Sequence, residues 1–180
     1  IERVSKHGAK FDQNKARWFN QQYLRQRDDT DIAERLKPVL VANQVHASDD
    51  YITKVCGLMK EKVHFPKEIW DLGYYFFIEP LKFDAEVVKK RWKDFAPAFI
   101  GSLKDKFNRS TIFTAGEIEK LFNEALAEQN LQSKDVLQVF RLSVSGMGAG
   151  APIFETVELL GKDKVVNRME RALNEIHTYA

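Results

Sequence analysis

The amino-acid sequence predicts an all-α protein, on three observations. Apolar residues recur at three- and four-residue steps through most of the 180-residue chain, which is the spacing of one helix face. Residue types that begin or end helices, such as Ser, Thr, Asp, Pro and Gly, separate these periodic stretches. Residues 142–145 alternate between apolar and polar side chains, which predicts one short extended segment but no sheet. Because 44% of the residues are apolar, the chain can bury a sizeable core.

The first two predicted helices lie before residue 45. Asp12 is placed to cap a helix that ends near Gln26. Asp31 and Glu34 have the spacing of a capping box at the start of a second helix, which Pro38 is expected to bend or interrupt. The first helix is predicted to carry an aromatic face made of Trp18, Phe19 and Tyr23.

The next three predicted helices occupy the middle of the chain. The third begins at Ser48, where side-chain acceptors and negative charge favour a helix N-terminus. Pro66 suits the first turn of a fourth helix, which continues to about Phe77. A longer fifth helix is predicted from about Asp84 to Leu103.

Three more helices are predicted in the last third of the chain. Thr114 and Glu117 form the clearest capping box in the sequence, and their helix runs to about Glu128. Two helices follow the predicted extended segment. One occupies residues 152–161, between a Pro and a Gly, and the last occupies residues 163–177.

Composition limits the classes of protein that fit. No apolar run approaches the roughly 20 residues that cross a bilayer, and residues 1–6 lack the apolar centre of a signal peptide. The single cysteine, Cys56, excludes an internal disulfide framework and is typical of a reducing compartment. A net charge of +2 is too small to indicate nucleic-acid binding by itself. We therefore expect a soluble, cytoplasmic monomer that makes no membrane contact.

Three chemical signatures in the sequence are weak. Residues 146–151 fit the dinucleotide fingerprint G-x-G-x-x-A, but the second parallel strand that a Rossmann unit needs is missing, so loop geometry explains these glycines better. The histidines and Cys56 have no metal-ligand spacing. Ser143 and Ser145 have no base partner and no nucleophile-elbow motif. Neither a nucleotide-binding enzyme nor a metal site is indicated.

Aromatic and basic residues each allow two interpretations. The tryptophans and residues 74–77 have the chemistry to stack on RNA bases, but their positions on apolar helix faces favour core packing. Basic clusters can follow a phosphate backbone, although charge runs on helices are usually solvated. The cluster that adjoins the glycine-rich segment is the better RNA candidate, and it contains Lys162, Lys164, Arg168 and Arg171.

Several segments resemble bacterial glutamyl-tRNA synthetases. Residues 4–24 contain Val-Ser-Lys-His-Gly-Ala-Lys-Phe-Asp and then Trp-Phe-Asn-Gln-Gln-Tyr-Leu, which looks like the exit from the stem-contact domain of that family. Residues 58–62 and 75–77 are similar to the helical region that follows. Residues 140–155, Phe-Arg-Leu-Ser-Val-Ser-Gly-Met-Gly-Ala-Gly-Ala-Pro-Ile-Phe-Glu, resemble its anticodon-holding end. The resemblance covers essentially the whole chain.

The resemblance implies an anticodon-binding helical bundle, the α-helix cage of the family. Residues 1–28 would end the stem-contact domain, and residues 29–77 and 78–180 would form two anticodon-binding subdomains. The expected partner is tRNA-Glu, and the parent enzyme would attach glutamate to it using ATP. ATP and Mg²⁺ would act in a catalytic domain whose H-x-G-H and Lys-x-Ser-Lys signatures are not in this sequence. We therefore expect no cofactor, metal or catalytic residue here, and no aminoacylation by this chain alone.

The resemblance also implies site residues. In the family, positions equivalent to Arg141 and Ile153 contact anticodon bases, and by alignment Asn123 is a further contact. Lys62 stands where enzymes that read the third anticodon base strictly carry arginine; lysine lacks the planar donor fork, which predicts partial discrimination against tRNA-Gln. Expected contacts to the tRNA backbone are Lys162, Lys164 and Arg168.

The alternative to RNA recognition is a helical protein-interaction adaptor, because amphipathic helices alone fit that role equally well. An adaptor gives no reason for Arg141, the glycine-rich segment and the following Phe-Glu pair to occur together. These residues therefore discriminate between the two interpretations.

Overall fold

Residues 13–176 are described by a computed structural model, and they form a bundle of α-helices in which no strand occurs. A short 3₁₀ helix, Tyr74–Phe76, follows the fourth helix. Within the described residues the α-helices are α1 (Gln13–Gln26), α2 (Asp29–Ala42), α3 (Asp49–Met59), α4 (Glu68–Gly73), α5 (Ala85–Arg91), α6 (Phe95–Arg109), α7 (Ala115–Glu128), α8 (Ser133–Ser145), α9 (Ile153–Leu160) and α10 (Lys162–Glu175). The predicted all-α class is confirmed.

One apolar core joins both halves of the bundle. Helix α2 packs on α3 and α4, α10 packs on α6, α8 and α9, and α3 touches α9. A single cluster of buried side chains extends from Leu24 in α1 to Met169 in α10. Within this cluster the centroid of the Phe122 ring lies 5.4 Å from that of Phe99 and 5.6 Å from that of Phe140. The described parts of residues 29–77 and 78–180 therefore share a core, and the division into two subdomains stays a prediction.

Several predicted helix ends are confirmed by cap geometry. The Ser48 side chain accepts from the Tyr51 N–H at 3.3 Å, and the Thr114 side chain accepts from the Glu117 N–H at 3.4 Å. Each bond satisfies a first-turn donor that has no intrahelical partner. Helix α9 occupies the interval between Pro152 and Gly161 as predicted. The predicted cap Asp12 lies outside the described residues.

The prediction for α2 is wrong at its start, and the expected interruption at Pro38 does not occur. Asp28 caps the helix, accepting from the Thr30 N–H at 2.9 Å, so α2 begins before the predicted capping box. The helix then continues through Pro38 to Ala42. Proline removes the donor for the Glu34 carbonyl, but both residues are exposed, so water can bond that oxygen.

The predicted long helix from Asp84 to Leu103 is two helices, α5 and α6. The backbone turns out of the helical region at Trp92, where φ is −78° and ψ is 91°. Pro97 explains the break, because in a continuous helix its ring would meet the carbonyl of Lys93. In the observed fold Pro97 stands in the first turn of α6, where a missing N–H costs nothing.

The extended segment predicted at residues 142–145 is also wrong, because these residues form the last turn of α8. The apparent alternation arises from serines that are buried together with their apolar neighbours. The Ser143 hydroxyl donates to the Phe140 carbonyl at 2.8 Å, and the Ser145 hydroxyl donates to the Arg141 carbonyl at 2.8 Å. Such backward bonds let a helix bury serine without an unsatisfied hydroxyl.

Core packing was predicted for the tryptophans, and Trp18 departs from it. Trp70 and Trp92 are partly buried against the core, but Trp18 is 54% exposed. Its neighbours on α1, Phe19 and Tyr23, are also more than half exposed. Helix α1 therefore presents its aromatic face away from the core.

Among the described residues no helix is long and apolar enough to cross a membrane.

Candidate nucleic-acid interface

The glycine-rich loop, residues 146–152, joins α8 to α9 and has a fixed backbone. Gly146 ends α8 with φ of 73°, in the left-handed region that favours glycine. Its carbonyl accepts from the Asp84 N–H at 2.8 Å, which ties the loop to the start of α5. A Cβ at Gly146 would lie 2.5 Å from the Lys82 carbonyl oxygen, so a side chain would collide with backbone. The glycines fit loop geometry here, as expected.

Gly146→Ala should therefore lower the free energy of unfolding by about 2 kcal/mol or more, through backbone strain and the collision with Lys82. Gly101→Ala is the matched control, because Gly101 lies inside α6 with no atom within 4 Å of the added Cβ. The control should gain up to about 1 kcal/mol from helix propensity. Urea denaturation measures both, and equal effects would contradict the loop geometry.

Arg141 lies in the last turns of α8 and supports the loop with one end of its guanidinium. Its Nη1 donates to the Ala151 carbonyl at 2.6 Å, and the side chain is partly buried. Desolvation lowers the pKa of Arg141, whereas the nearby Tyr75 acts in the opposite direction. The bond to Ala151 fixes where the guanidinium points, because it holds one of its three nitrogens.

Tyr75 and Gly150 complete the surroundings of Arg141. Tyr75 is fully buried, and burial raises the pKa of its hydroxyl. A Cβ at Gly150 would lie 2.9 Å from that hydroxyl and 3.3 Å from the Arg141 Nη1. The close approach of these three groups requires a residue without a side chain at position 150. From the sequence, Tyr75 is identified only as one of four consecutive aromatic residues, without a contact to Arg141.

Ile153 directly follows the glycine-rich loop, but its side chain is buried. It is the first residue of α9, it is only 4% exposed, and it belongs to the core cluster. This burial argues against the expected direct contact with an anticodon base. The position of Ile153 instead anchors the start of α9 beneath the loop.

Arg168 is the clearest departure from the expected RNA contacts. It is 4% exposed, and its guanidinium donates to the carbonyls of Val144 at 3.1 Å and Tyr75 at 2.9 Å. It also donates to the Ile78 carbonyl at 3.3 Å and pairs with Glu79 at 3.0 Å. Four of its five N–H donors are thus engaged within the protein, which argues against a direct phosphate contact by Arg168. It joins α10, α8 and the segment after α4.

The other predicted residues lie on separate elements. Lys164 is exposed on α10, whereas Lys162 is partly buried and donates to the Ser110 carbonyl at 3.0 Å. Asn123 is exposed on α7, and Lys62 is exposed in the turn after α3. No hydrogen bond or ion pair within residues 13–176 joins Lys62 to the loop that Arg141 supports. Arg141 and Ile153 therefore lie at the two ends of the same loop. The remaining predicted residues lie on other elements.

Two clefts of opposite charge lie elsewhere on the bundle. One, of about 630 Å³, lies between α3 and α9, and its charged lining residues are the carboxylates of Asp29, Glu155 and Glu158 and the ammonium of Lys54. The other, of about 160 Å³, lies beside α1 and contains Arg27 and Arg35. Sequence reasoning did not single out either cleft. Among the described residues no group of three or more His, Cys, Asp or Glu side chains is placed to hold a metal ion.

Comparison with known proteins shows the family to which the chain is similar. The model of the anticodon binding domain family matches residues 31–173. A glutamate–tRNA ligase of Flavobacterium psychrophilum is 38% identical over 173 residues, which cover 96% of this chain and 34% of the relative. A glutamate–tRNA ligase of Porphyromonas gingivalis is 36% identical over 173 residues, which again cover 96% of this chain and 34% of the relative.

Solved structures agree with these relatives. A crystal structure of a glutamate tRNA ligase from Elizabethkingia meningosepticum in complex with its amino acid has a TM-score of 0.84 and 32% identity, and it matches over 96% of this chain and 34% of its own. The chain thus spans about a third of the length of the relatives that it matches. Its matched region, its all-α fold and the similarity to these ligases agree: the chain belongs to the anticodon binding domain family, in the form found in bacterial glutamate–tRNA ligases.

Proposed function

We propose that the chain recognises the anticodon of tRNA-Glu on behalf of a glutamate–tRNA ligase, with Arg141 as the main base-reading residue. The observation that carries the proposal is the anchoring of Arg141: its Nη1 donates to the Ala151 carbonyl at 2.6 Å, beside the closely packed glycine-rich loop. A guanidinium held at one nitrogen keeps donors and a planar face for an unstacked base. Partial desolvation strengthens such contacts, because fewer water molecules compete for the donors.

Exposed polar residues supply the rest of the proposed surface. Lys164 and Lys162 lie in the first turn of α10 and would contact phosphates, although Lys162 must first leave the Ser110 carbonyl. Asn123 is exposed on α7, which packs against α9 at the end of the loop. Asn123 and Lys62 are therefore available to a base, whereas Ile153 would act by supporting the loop. An adaptor role explains none of these features.

Binding of tRNA-Glu to the purified chain tests this proposal. The affinity should fall with salt, because phosphate contacts release counterions. Lys164→Gln should reduce the slope of log K against log salt by about 0.7 to 0.9, the value for one phosphate contact. A salt-independent interaction, or no interaction, would remove support for RNA recognition and favour the adaptor.

Catalysis is proposed to reside in the part of the ligase that this chain does not cover, together with ATP and Mg²⁺. The purified 180 residues should therefore show no glutamate-dependent exchange of pyrophosphate into ATP. Robust exchange by this chain would contradict the proposal. A matching full-length ligase is the positive control for the assay.

Lys62 is proposed to read the third anticodon base incompletely. It is exposed in the turn after α3, and its ammonium can donate to a base without imposing the geometry of a fork. Lys62→Arg should sharpen the preference for tRNA-Glu over tRNA-Gln, and Lys62→Gln should relax it. Competition between the two tRNAs measures the ratio directly. An unchanged ratio in both variants would remove Lys62 from the recognition site.

We also propose that the protein acts as a monomer in the cytoplasm. The supporting observation is Cys56, a fully buried thiol whose pKa burial raises to about 12, so that it is neither a disulfide partner nor a reactive thiolate. Sedimentation across a range of protein concentrations tests the monomer.

A further inference from the structure

A small basic cleft opens between α1, α2 and the segment that precedes α4. Its volume is about 160 Å³. No carboxylate lines it, in contrast to the acidic cleft between α3 and α9. The lining residues combine two guanidinium groups, an imidazole, an amide and two aromatic rings: Arg27, Arg35, His64, Asn20, Tyr23 and Phe65.

The two arginines differ in how they are held. The Arg27 guanidinium lies over the Tyr23 ring, 4.5 Å from its centroid, and donates to the Tyr23 hydroxyl. It also pairs with Asp31 at 3.5 Å, a distance that gives only a weak bond in water. Arg35 is exposed on α2 and makes no ion pair within residues 13–176. The Arg27 guanidinium is therefore held against an aromatic ring, whereas the Arg35 side chain is exposed at the edge of the cleft.

The walls of the cleft are tied to the turn that carries Lys62. Arg25 pairs with Glu61 at 2.7 Å, and the Gln21 side chain donates to the Glu61 carbonyl at 3.3 Å. On the other side of the cleft, the backbone N–H of His64 donates to the Glu68 carboxylate at 2.7 Å, which holds the segment before α4 in place. The cleft and Lys62 thus belong to one connected surface.

We propose that this cleft binds one nucleotide of an RNA strand, with its phosphate held by Arg27 and Arg35. Guanidinium groups suit phosphate because their planar forks donate two parallel bonds. One face of the Tyr23 ring is covered by Arg27, so its other face and the Phe65 ring would stack against the base. Asn20 would offer a polar group to the base edge, whereas the His64 Nδ1 already lies 3.5 Å from Arg17 and from Glu68. An acidic peptide would use the arginines, whereas a nucleotide would use both the arginines and the Tyr23 and Phe65 rings. The inference rests on the proposed function, since it adds a contact for the same tRNA away from the Arg141 loop.

Salt-dependent binding of tRNA-Glu to variants of the whole chain tests the cleft. Arg35→Gln should weaken binding and lower the slope of log K against log salt by about 0.7 to 0.9, whereas Arg35→Lys should restore the slope because the charge remains. Tyr23→Leu should weaken binding about tenfold at every salt concentration without changing the slope, because stacking releases no counterion. Lys54→Gln is the matched control: it also removes one exposed charge, but from the rim of the acidic cleft. The control should leave both affinity and slope unchanged.

The outcomes separate this inference from the proposed function. If the wild-type chain and an Arg141 variant behave as proposed while Arg35→Gln and Tyr23→Leu both match the wild type, the cleft is overturned and anticodon recognition stands. If the wild-type chain binds no tRNA, the proposed function itself fails. If Arg35→Gln and Lys54→Gln lower the slope equally, the effect is general charge and the cleft is again overturned. Circular dichroism confirms that the exposed substitutions leave the fold intact.

Discussion

Arg168→Ala should lower the free energy of unfolding of this chain by about 3 kcal/mol or more. The guanidinium is 4% exposed and supplies donors to the carbonyls of Tyr75, Val144 and Ile78. Removing it leaves those buried oxygens without partners, at about 1–3 kcal/mol for each one that water cannot reach. It also leaves Glu79, which is half exposed, with Arg171 as its remaining partner. Urea denaturation followed by circular dichroism gives the change.

Lys164→Ala is the control for this prediction. Lys164 is exposed four residues earlier on the same helix, and its loss should change stability by less than about 0.5 kcal/mol. Arg168→Lys should fall between the two, because one ammonium cannot reach all four acceptors. Equal stability of the alanine variants at both positions would contradict the structural role of Arg168. It would also return Arg168 to the candidates for phosphate binding.

Arg141→Ala should weaken binding of tRNA-Glu by roughly 5- to 100-fold, the range for the loss of one good base contact. The variant also loses the bond to the Ala151 carbonyl, so part of the effect would come from a looser loop. Arg141→Lys separates the two causes, since lysine can keep a donor near Ala151 but not the planar fork. Equilibrium titration with tRNA-Glu measures all three proteins.

Either of two outcomes would exclude base reading by Arg141. If Arg141→Lys restores the full affinity, the residue acts only by holding the loop. If Arg141→Ala binds as tightly as the wild type, the residue lies outside the interface. In a full-length ligase the alanine variant should raise the KM for tRNA-Glu and leave activation of glutamate by ATP unchanged.

The features that sequence reasoning predicted correctly depend on local interactions. The caps at Ser48 and Thr114 and the helix between Pro152 and Gly161 follow from side-chain acceptors and backbone restrictions within a few residues. The break before Pro97 also has a local cause, the ring of that proline against the Lys93 carbonyl. It was missed because the apolar spacing continues across it.

The departures from the expected structure arise from tertiary packing, which a single sequence does not display. Arg168 belongs to a basic run that resembles a solvated face, and only the convergence of three distant carbonyls on it explains its burial. The serines of α8 looked like the polar side of a strand because their bonds to preceding carbonyls cannot be read from spacing. The basic cleft escaped notice because Arg35 and His64 are distant in sequence and meet only in the fold.

The affinity of the chain for tRNA-Glu, compared with the same tRNA carrying three substituted anticodon bases, tests the central claim most directly. The account predicts at least about tenfold weaker binding of the substituted tRNA, since base contacts specify while phosphate contacts only position. We also expect Arg141→Ala to narrow the difference between the two tRNAs, because Lys62 and Asn123 keep their proposed base contacts. Equal affinity of the wild-type chain for both tRNAs would show that it does not read the anticodon, and would contradict the account.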